Sequence, residues 1–242
     1  MDLKGISIKV EALTVSFREP VGQLYHETLP LPPPSTLLGL AGAALGKSFE
    51  DTLNFFKHNH IGVGCRGQHQ GQGNDLWNYT KLKSGGKADK DIIMRKFLYG
   101  FQGDLYYLCK DEQVAKDLYQ AFLSPYYGLT LGNSDELIKI KEIIWHEEIK
   151  EEKSTSLSNT WVYGDQLAEI ELNWEEIKKL PVVQTIIPPS VKTLATDYSF
   201  DSKGARQGER YRNFTFLGNQ QKLTQEIPVY IFQDIPISCF IF

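Results

Sequence analysis

The stretch Tyr25 to Gly46, YHETLPLPPPSTLLGLAGAALG, constrains the fold of this 242-residue chain more than any other. Pro30, then Pro32, Pro33 and Pro34 in a row, hold the backbone extended. Proline fixes φ and lacks an amide hydrogen, so this segment can neither be helical nor pair centrally in a sheet. Ser35 stands where a helix N-cap is expected, and a run of Leu, Ala and Gly follows. Leu37, Leu38, Ala41, Ala44 and Leu45 fall on one helical stripe. Gly39, Gly42 and Gly46 keep that helix thin enough to lie close against a sheet or another backbone. Each interior glycine costs about 1 kcal/mol relative to alanine, so close packing or a bound ligand is the expected compensation. A tight helix-on-sheet contact without a ligand is the plain alternative.

Composition narrows the function classes. Hydrophobic residues make up 41% and charged residues 23%, as in a soluble globular protein. The length suits a core of one domain, or one and a half. No uninterrupted apolar stretch approaches the ~20 residues that span a bilayer, and MDLKGISIKV is not a signal peptide, so no membrane is expected. Cys65, Cys109 and Cys239 are odd in number, scattered and in no CxxC pair, which argues for reduced thiols and a cytoplasmic location. The net charge of −4 counts against a free-standing nucleic-acid binder. The charge is segregated, however. Lys81 to Lys96 holds six basic residues against Asp89 and Asp91, and Lys203 to Arg212 holds four against Glu209. The acidic excess lies in Glu142 to Glu152 and Glu169 to Glu176. Such a chain can meet phosphate with one face and protein with another.

Residues 6–17 read as a strand whose apolar parity switches between Val10 and Leu13, as for a bulged strand buried on both faces. Ser48 and Asp51 form a capping-box-like start to a short helix through Leu53, Phe55 and Phe56. Ile61 to Arg66 is a strand. It leads into a polar, glycine-rich insert, at about 68–91, expected as a mobile loop or a protruding hairpin. Ile92–Phe101 and Leu105–Cys109 read as two strands joined by a Gln102-Gly103-Asp104 turn. Asp111 caps a helix with Val114, Leu118, Ala121 and Phe122 on its apolar face, ended by Pro125. Ile138 to Ile149 is strand-like. The fold class is therefore α+β. Residues 1–150 have the β-α-β-β-α-β order of a ferredoxin-like, RRM-like domain with a basic insert. Residues 151–242 form a β-rich C-terminal region, with strands expected within Trp161–Leu172, Val182–Ile187, Tyr211–Leu217, Val229–Phe232 and Ile237–Phe242.

Three groups of residues could carry chemistry. Lys81, Lys83, Lys87, Arg95 and Lys96 sit beside Trp77 and Tyr79, and cations interleaved with aromatics suit single-stranded RNA. A solvated lysine-rich loop is the alternative. Lys203, Arg206, Arg210 and Arg212 lie among Tyr211, Phe214 and Phe216. Arginine forks bind phosphate bidentately, and Gly204 and Gly208 allow close backbone approach. A basic hairpin or a protein contact is the alternative there. Gly132-Asn133-Ser134-Asp135 places backbone N–H groups at a turn that can hold a phosphate or a base edge, or else is a simple Asx turn. Gly62-Val-Gly-Cys-Arg-Gly imitates a dinucleotide fingerprint without the following apolar helix. His58, His60, Cys65 and His69 match no zinc spacing. No cofactor and no metal site is implied.

The strand ending Ser16-Phe17-Arg18-Glu19-Pro20, followed by Leu29-Pro-Leu-Pro-Pro-Pro-Ser-Thr-Leu-Leu-Gly, resembles the start of the CRISPR-associated Cas-five family, of the RAMP superfamily. Tyr127-Gly-Leu-Thr-Leu-Gly-Asn-Ser-Asp-Glu-Leu resembles that family's glycine loop. Together the two stretches cover about the first 145 residues in the right order. The resemblance implies a subunit of a type I Cascade surveillance complex, B-like in subtype. It would bind the 5′ handle of the crRNA and join the large subunit to the backbone subunits. Target DNA would be met only indirectly, through the complex. The resemblance also implies a thumb-like basic insert and RNA contact at Arg18, Gly132 and Ser134. Some family members cleave the guide precursor with a Tyr, Lys and His grouping. Here Lys110-Asp111 stands where the Lys-His pair belongs, and Lys57-His58 is misplaced, so the expectation is binding without catalysis. Two alternatives stay open: a metal-independent endoribonuclease using Tyr25, His26 or His69, and a protein–protein adaptor that never meets RNA.

Overall fold

The computed structural model describes residues 3–19, 25–82, 88–179 and 187–242. The apolar alternation of the N-terminal segment produces β1 (Leu3–Val15), in which Ile6, Ile8, Val10 and Val15 are fully buried. Gly5 and Ser7, on the opposite parity, are buried as well, as expected for a central strand. The parity change leaves Leu13 exposed, while Val15 and Phe17 return to the core.

A short β2 (Tyr25–His26) precedes the prolines. Helix α1 (Pro34–Leu45) begins one residue before the expected cap: Pro33 is the N-cap residue and Pro34 the first helical position, where a missing N–H goes unnoticed. Ser35 therefore lies inside the first turn. Helix α2 (Phe49–His58) starts at Ser48, whose hydroxyl accepts from the Asp51 amide at 3.1 Å and donates to the Asp51 carboxylate at 2.6 Å. Gly42 allows α1 to approach α2, since a Cβ there would lie 2.5 Å from Thr52 Oγ1.

Next come β3 (Gly62–Gln68), β4 (Gly71–Leu82) and β5 (Ala88–Cys109). The insert is a hairpin: β4 and β5 pair from Gly71 opposite Tyr99 to Leu82 opposite Ala88. The expected turn at Gln102-Gly103-Asp104 is absent, because β5 runs through it unbroken. Gln102 and Gly103 pair with Glu11 and Val10 of β1 on one side and with Gln68 and Gly67 of β3 on the other. Two-sided pairing satisfies the backbone groups that a turn would have satisfied. Gly103 is needed instead because a Cβ would meet the Phe101 ring at 2.8 Å. The kink in β5 lies at Gly100, with φ +61°.

Asp111 caps α3 (Glu112–Leu123) by accepting from the Val114 amide at 2.9 Å. Strand β6 (Ile138–Ser154) follows, then β7 (Thr160–Tyr163), β8 (Ile170–Leu172) and a single turn α4 (Trp174–Ile177). The chain ends with β9 (Ser190–Phe200), β10 (Arg206–Leu217), β11 (Gln221–Leu223), β12 (Ile227–Phe232), β13 (Ile235–Ile237) and β14 (Phe240–Ile241). Of the expected strand Val182–Ile187, all but Ile187 lies outside the described residues, and β9 carries no signal that stood out in the sequence.

One large sheet runs β13-β12-β6-β1-β5-β3-β7-β10-β9, antiparallel at every step; β4 and β2 flank the outer part of β5, and β14 pairs with β3. The main core gathers Ile6, Ile8, Leu37, Phe56, Tyr107, Leu118 and Phe122, between one sheet face and the helices. A second cluster of Tyr106, Leu108, Ile149, Phe232 and Ile237 covers part of the other face. Gly62 and Gly64, two of the three glycines of the false dinucleotide motif, let the last strands come close. Cβ atoms there would lie 2.5 Å from Ile241 and 2.6 Å from Ile237.

Candidate nucleic-acid interface

The glycine loop closes on its own anion. Glu136, 2% exposed, accepts from the Asn133 amide at 2.7 Å and the Ser16 amide at 2.9 Å through one carboxylate oxygen. Asn133 also donates its side-chain amide to Ser16 Oγ at 2.7 Å. Gly132 has φ +120°, and a Cβ would sit 2.2 Å from that carboxylate and 2.4 Å from the Ser16 carbonyl oxygen. Only glycine fits. The Asn133 N–H that could have met a phosphate thus serves Glu136, while Gly132 and Ser134 remain exposed on the outside of the loop.

Arg95 faces this loop from β5. Its guanidinium donates to Asp75 at 3.1 and 2.6 Å and lies 3.6 Å from Asp135 and 3.8 Å from Glu136. The Asp75 hydrogen bonds raise its pKa further, against the effect of burial. Trp77 stacks on it at 5.2 Å and meets His26 edge-on. Burial first, then the charges of Arg18 and Arg95, lower the His26 pKa, so a neutral ring is favoured. Arg18 is exposed and forms an isolated bridge with Thr28. Arg18, Trp77 and Arg95 are therefore neighbours, but Arg95 is a buried tie between carboxylates. Lys81 takes its place in β4 opposite Asp89, and Lys83 and Lys87 lie outside the described residues. Lys96 pairs with Glu27 at 2.5 Å, which raises its pKa.

Tyr25, beside His26 in β2, donates its hydroxyl to Asn74 at 3.0 Å. Burial lowers the His69 pKa. Among the described residues no group of three His, Cys, Asp or Glu side chains is placed to hold a metal ion. Cys65 is buried, with its thiol donating to the Pro32 carbonyl.

The second basic patch is arranged differently. The Arg206 guanidinium lies 4.2 Å from the Phe49 ring and 5.5 Å from Tyr198, exposed on β10. It borders a groove of about 180 Å³ shared with Ser35, Thr36, Gly39 and Gly132. Gly39 keeps the groove open rather than tightening a contact, since a Cβ would touch only Phe49, at 3.9 Å. Two residues 74 positions apart, Gly132 and Arg206, thus face one space. Arg210 and Arg212 line a separate cleft with Lys57 and Asp197. Sequence reasoning missed Asp75, Glu136 and Lys57. Asp75 stands two residues before Trp77, the one available signal; Glu136 and Lys57 act on partners over a hundred residues away.

The architecture defines an α+β protein built on a large antiparallel sheet, with Arg206 of β10 beside the start of α1 and Arg210 and Arg212 of the same strand in a separate cleft. The family model described as CRISPR-associated protein (Cas_Cas5) matches residues 5–175, and the chain belongs to that family. No curated protein matches it. The fold is similar to that of a chain in a CRISPR RNA-guided surveillance complex, at 15% identity and TM-score 0.53, covering 96% of this chain and 91% of that one. It is equally similar to a CRISPR protein from Archaeoglobus fulgidus, at 11% identity and TM-score 0.53, covering 97% and 98%. A Cas protein of known crystal structure matches at 21% identity but with a TM-score of 0.36, over 54% of this chain and 57% of its own. The family read from the proline entry and the glycine loop is thus the right one. The structural likenesses speak to fold alone.

Proposed function

We propose that this chain is a non-catalytic subunit of a type I CRISPR surveillance complex, B-like in subtype. In this reading it binds the 5′ handle of the crRNA and joins the large subunit to the backbone subunits. The observation that carries the reading is the groove in which Arg206, placed over the Phe49 ring, faces Gly132 across the start of α1. A planar guanidinium fixed on a ring presents its fork to a phosphate with little entropy left to lose. Ser134 and Arg18 extend this surface, and Trp77 would follow the guide along the hairpin, with Lys81, Lys83 and Lys87 as further RNA contacts in the same reading. Arg95 acts from beneath by fixing the loop. Residues 1–150 are read as a ferredoxin-like domain carrying the 68–91 insert, a reading supported by the order β6-β1-β5-β3 with helices in both crossovers. Residues 151–242 are its extension. Guide pairing, not this chain, would read target DNA.

End-labelled guide precursor, run on paired native and denaturing gels with and without EDTA, tests the proposal. The expected result is a native shift with intact RNA, lost when the handle is scrambled. A discrete product ending at the handle would make the chain a ribonuclease, with Tyr25 and His26 the first residues to alter. No shift at low salt with partner subunits present would leave a protein adaptor.

A further inference from the structure

A cleft of about 340 Å³ opens between the end of α2, the middle of β9–β10 and the C-terminal β14. It is distinct from the Arg206 groove. Its rim carries Arg210, Arg212 and Lys57; its floor includes Tyr163 and Phe240, whose rings meet at 5.7 Å. Strand β10 slips register on both sides of Arg210, between Gly208 and Arg210 and again before Tyr211. Such a bulge re-aims side chains, and here Arg210 and Arg212 border one cleft. Among the described residues the one side-chain carboxylate lining the cleft, Asp197, is ion-paired to Lys57 and accepts the Tyr198 amide at 2.8 Å. Burial opposes its ionisation, but the Lys57 hydrogen bond, the Tyr198 N–H and the charges of Lys57 and Arg210 outweigh this and lower its pKa. Among the described residues neither Arg210 nor Arg212 forms an ion pair or a side-chain hydrogen bond. Two arginine forks thus stand over an aromatic floor.

We propose that this cleft takes one nucleotide of a single-stranded RNA, its base against Tyr163 and Phe240 and its phosphate between Arg210 and Arg212; the inference rests on the RNA-binding reading above. The volume, near the lower end for small-ligand sites, admits a base with its sugar and excludes a duplex. Tyr163 leaves 46% of its surface exposed, enough for a ring face to receive a base. An acidic peptide could use the same arginines but would bring no planar group to the floor. Four residue steps of strand lead from Arg206 to Arg210, about 13 Å, a distance that a short run of extended RNA spans.

The test uses the full chain and a short single-stranded RNA carrying 4-thiouridine at one position at a time. Binding is read by anisotropy, and photocrosslinks are mapped by mass spectrometry. The expected result is a crosslink to Tyr163 or Phe240 from a single RNA position. Arg210→Ala with Arg212→Ala should weaken binding about tenfold and lower the salt slope by about 0.7, one phosphate. Both side chains are exposed, and a paired Arg210→Lys, Arg212→Lys variant keeps the charge while removing the forks; it should regain the slope but not the full affinity. Unchanged RNA binding in the double alanine variant, with binding lost in Arg206→Ala, would overturn this inference and spare the groove. Polyglutamate competing as well as RNA, with no crosslink in the cleft, would reassign it to an acidic protein segment. RNA left unbound by the unaltered protein would overturn both readings.

Discussion

Arg95 and Arg206 are the same residue placed over an aromatic ring, and they are opposites. Arg95 stacks on Trp77 at 5.2 Å and is 7% exposed, with Asp75, Asp135 and Glu136 around it. Arg206 stacks on Phe49 at 4.2 Å, exposed, with no carboxylate bound to it among the described residues. The first ring shields a charge that holds three chain segments together; the second supports a charge turned toward solvent. Counting cations along a sequence cannot separate these cases. Part of the excess between Lys81 and Lys96 is cancelled by Asp75 and Glu136, which stand outside that window. Stacking geometry is thus no guide to function until the carboxylates nearby are counted.

The sharpest way to break the comparison is to remove the anion beneath Arg95. Glu136→Ala should cost about 3–5 kcal/mol in urea unfolding, because Arg95 loses a buried partner while the Ser16 and Asn133 amides lose their acceptor. Gly132→Ala should cost about 1–3 kcal/mol, from the forced φ and the displaced Glu136 carboxylate. Arg206→Ala should move stability by at most about 1 kcal/mol, the worth of an exposed cation–π contact. The same change should weaken handle RNA about tenfold, while Arg206→Lys recovers only part. If Glu136→Ala proves as mild as Arg206→Ala, the contrast between tie and fork is wrong. The smallest effect expected is in pH. His26 has its pKa lowered in the fold, so below about pH 6.5 the unfolded chain takes up a proton that the folded chain resists. Stability should be level above that pH and fall below it. His69 and His146, also lowered by burial, contribute the same trend, so the His26 share is the difference in urea midpoint between the unaltered protein and His26→Gln. Arg206 has no such neighbour, and RNA affinity at the groove should not follow that difference.

What was legible in the sequence was local. Ser48 and Asp111 announce their helices because a cap bonds within three residues, and the proline run announces α1 because proline acts on its own φ. The cap expected at Ser35 lies two residues earlier, at Pro33, for the same reason: Pro34 can already be helical. Gln102-Gly103-Asp104 resembled a turn because its true partners, Glu11 and Val10, lie more than ninety residues earlier. The insert's hairpin was one of two readings, decided by cross-strand pairing that no polar composition specifies. At the interface, glycines and arginines were legible by type, while their assignment to tie or fork depended on Asp75 and Glu136. The meeting of Gly132 with Arg206, and of Arg210 with Lys57, is purely tertiary.

The unbroken course of β5 has a dynamic consequence. From Gln102 to Leu108 it lies between β1 and β3, and at Leu98 and Tyr99 between β1 and β4; outward of Leu98 it depends chiefly on β4, with brief help from β2. Amide hydrogens of one strand therefore belong to two classes of motion. The inner ones exchange only when the whole domain opens, and the outer ones when the hairpin does. Leu98, the outermost residue paired with β1, marks the border. An RNA lying along the hairpin would slow exchange up to that leucine and leave the inner half of the same strand at its own pace.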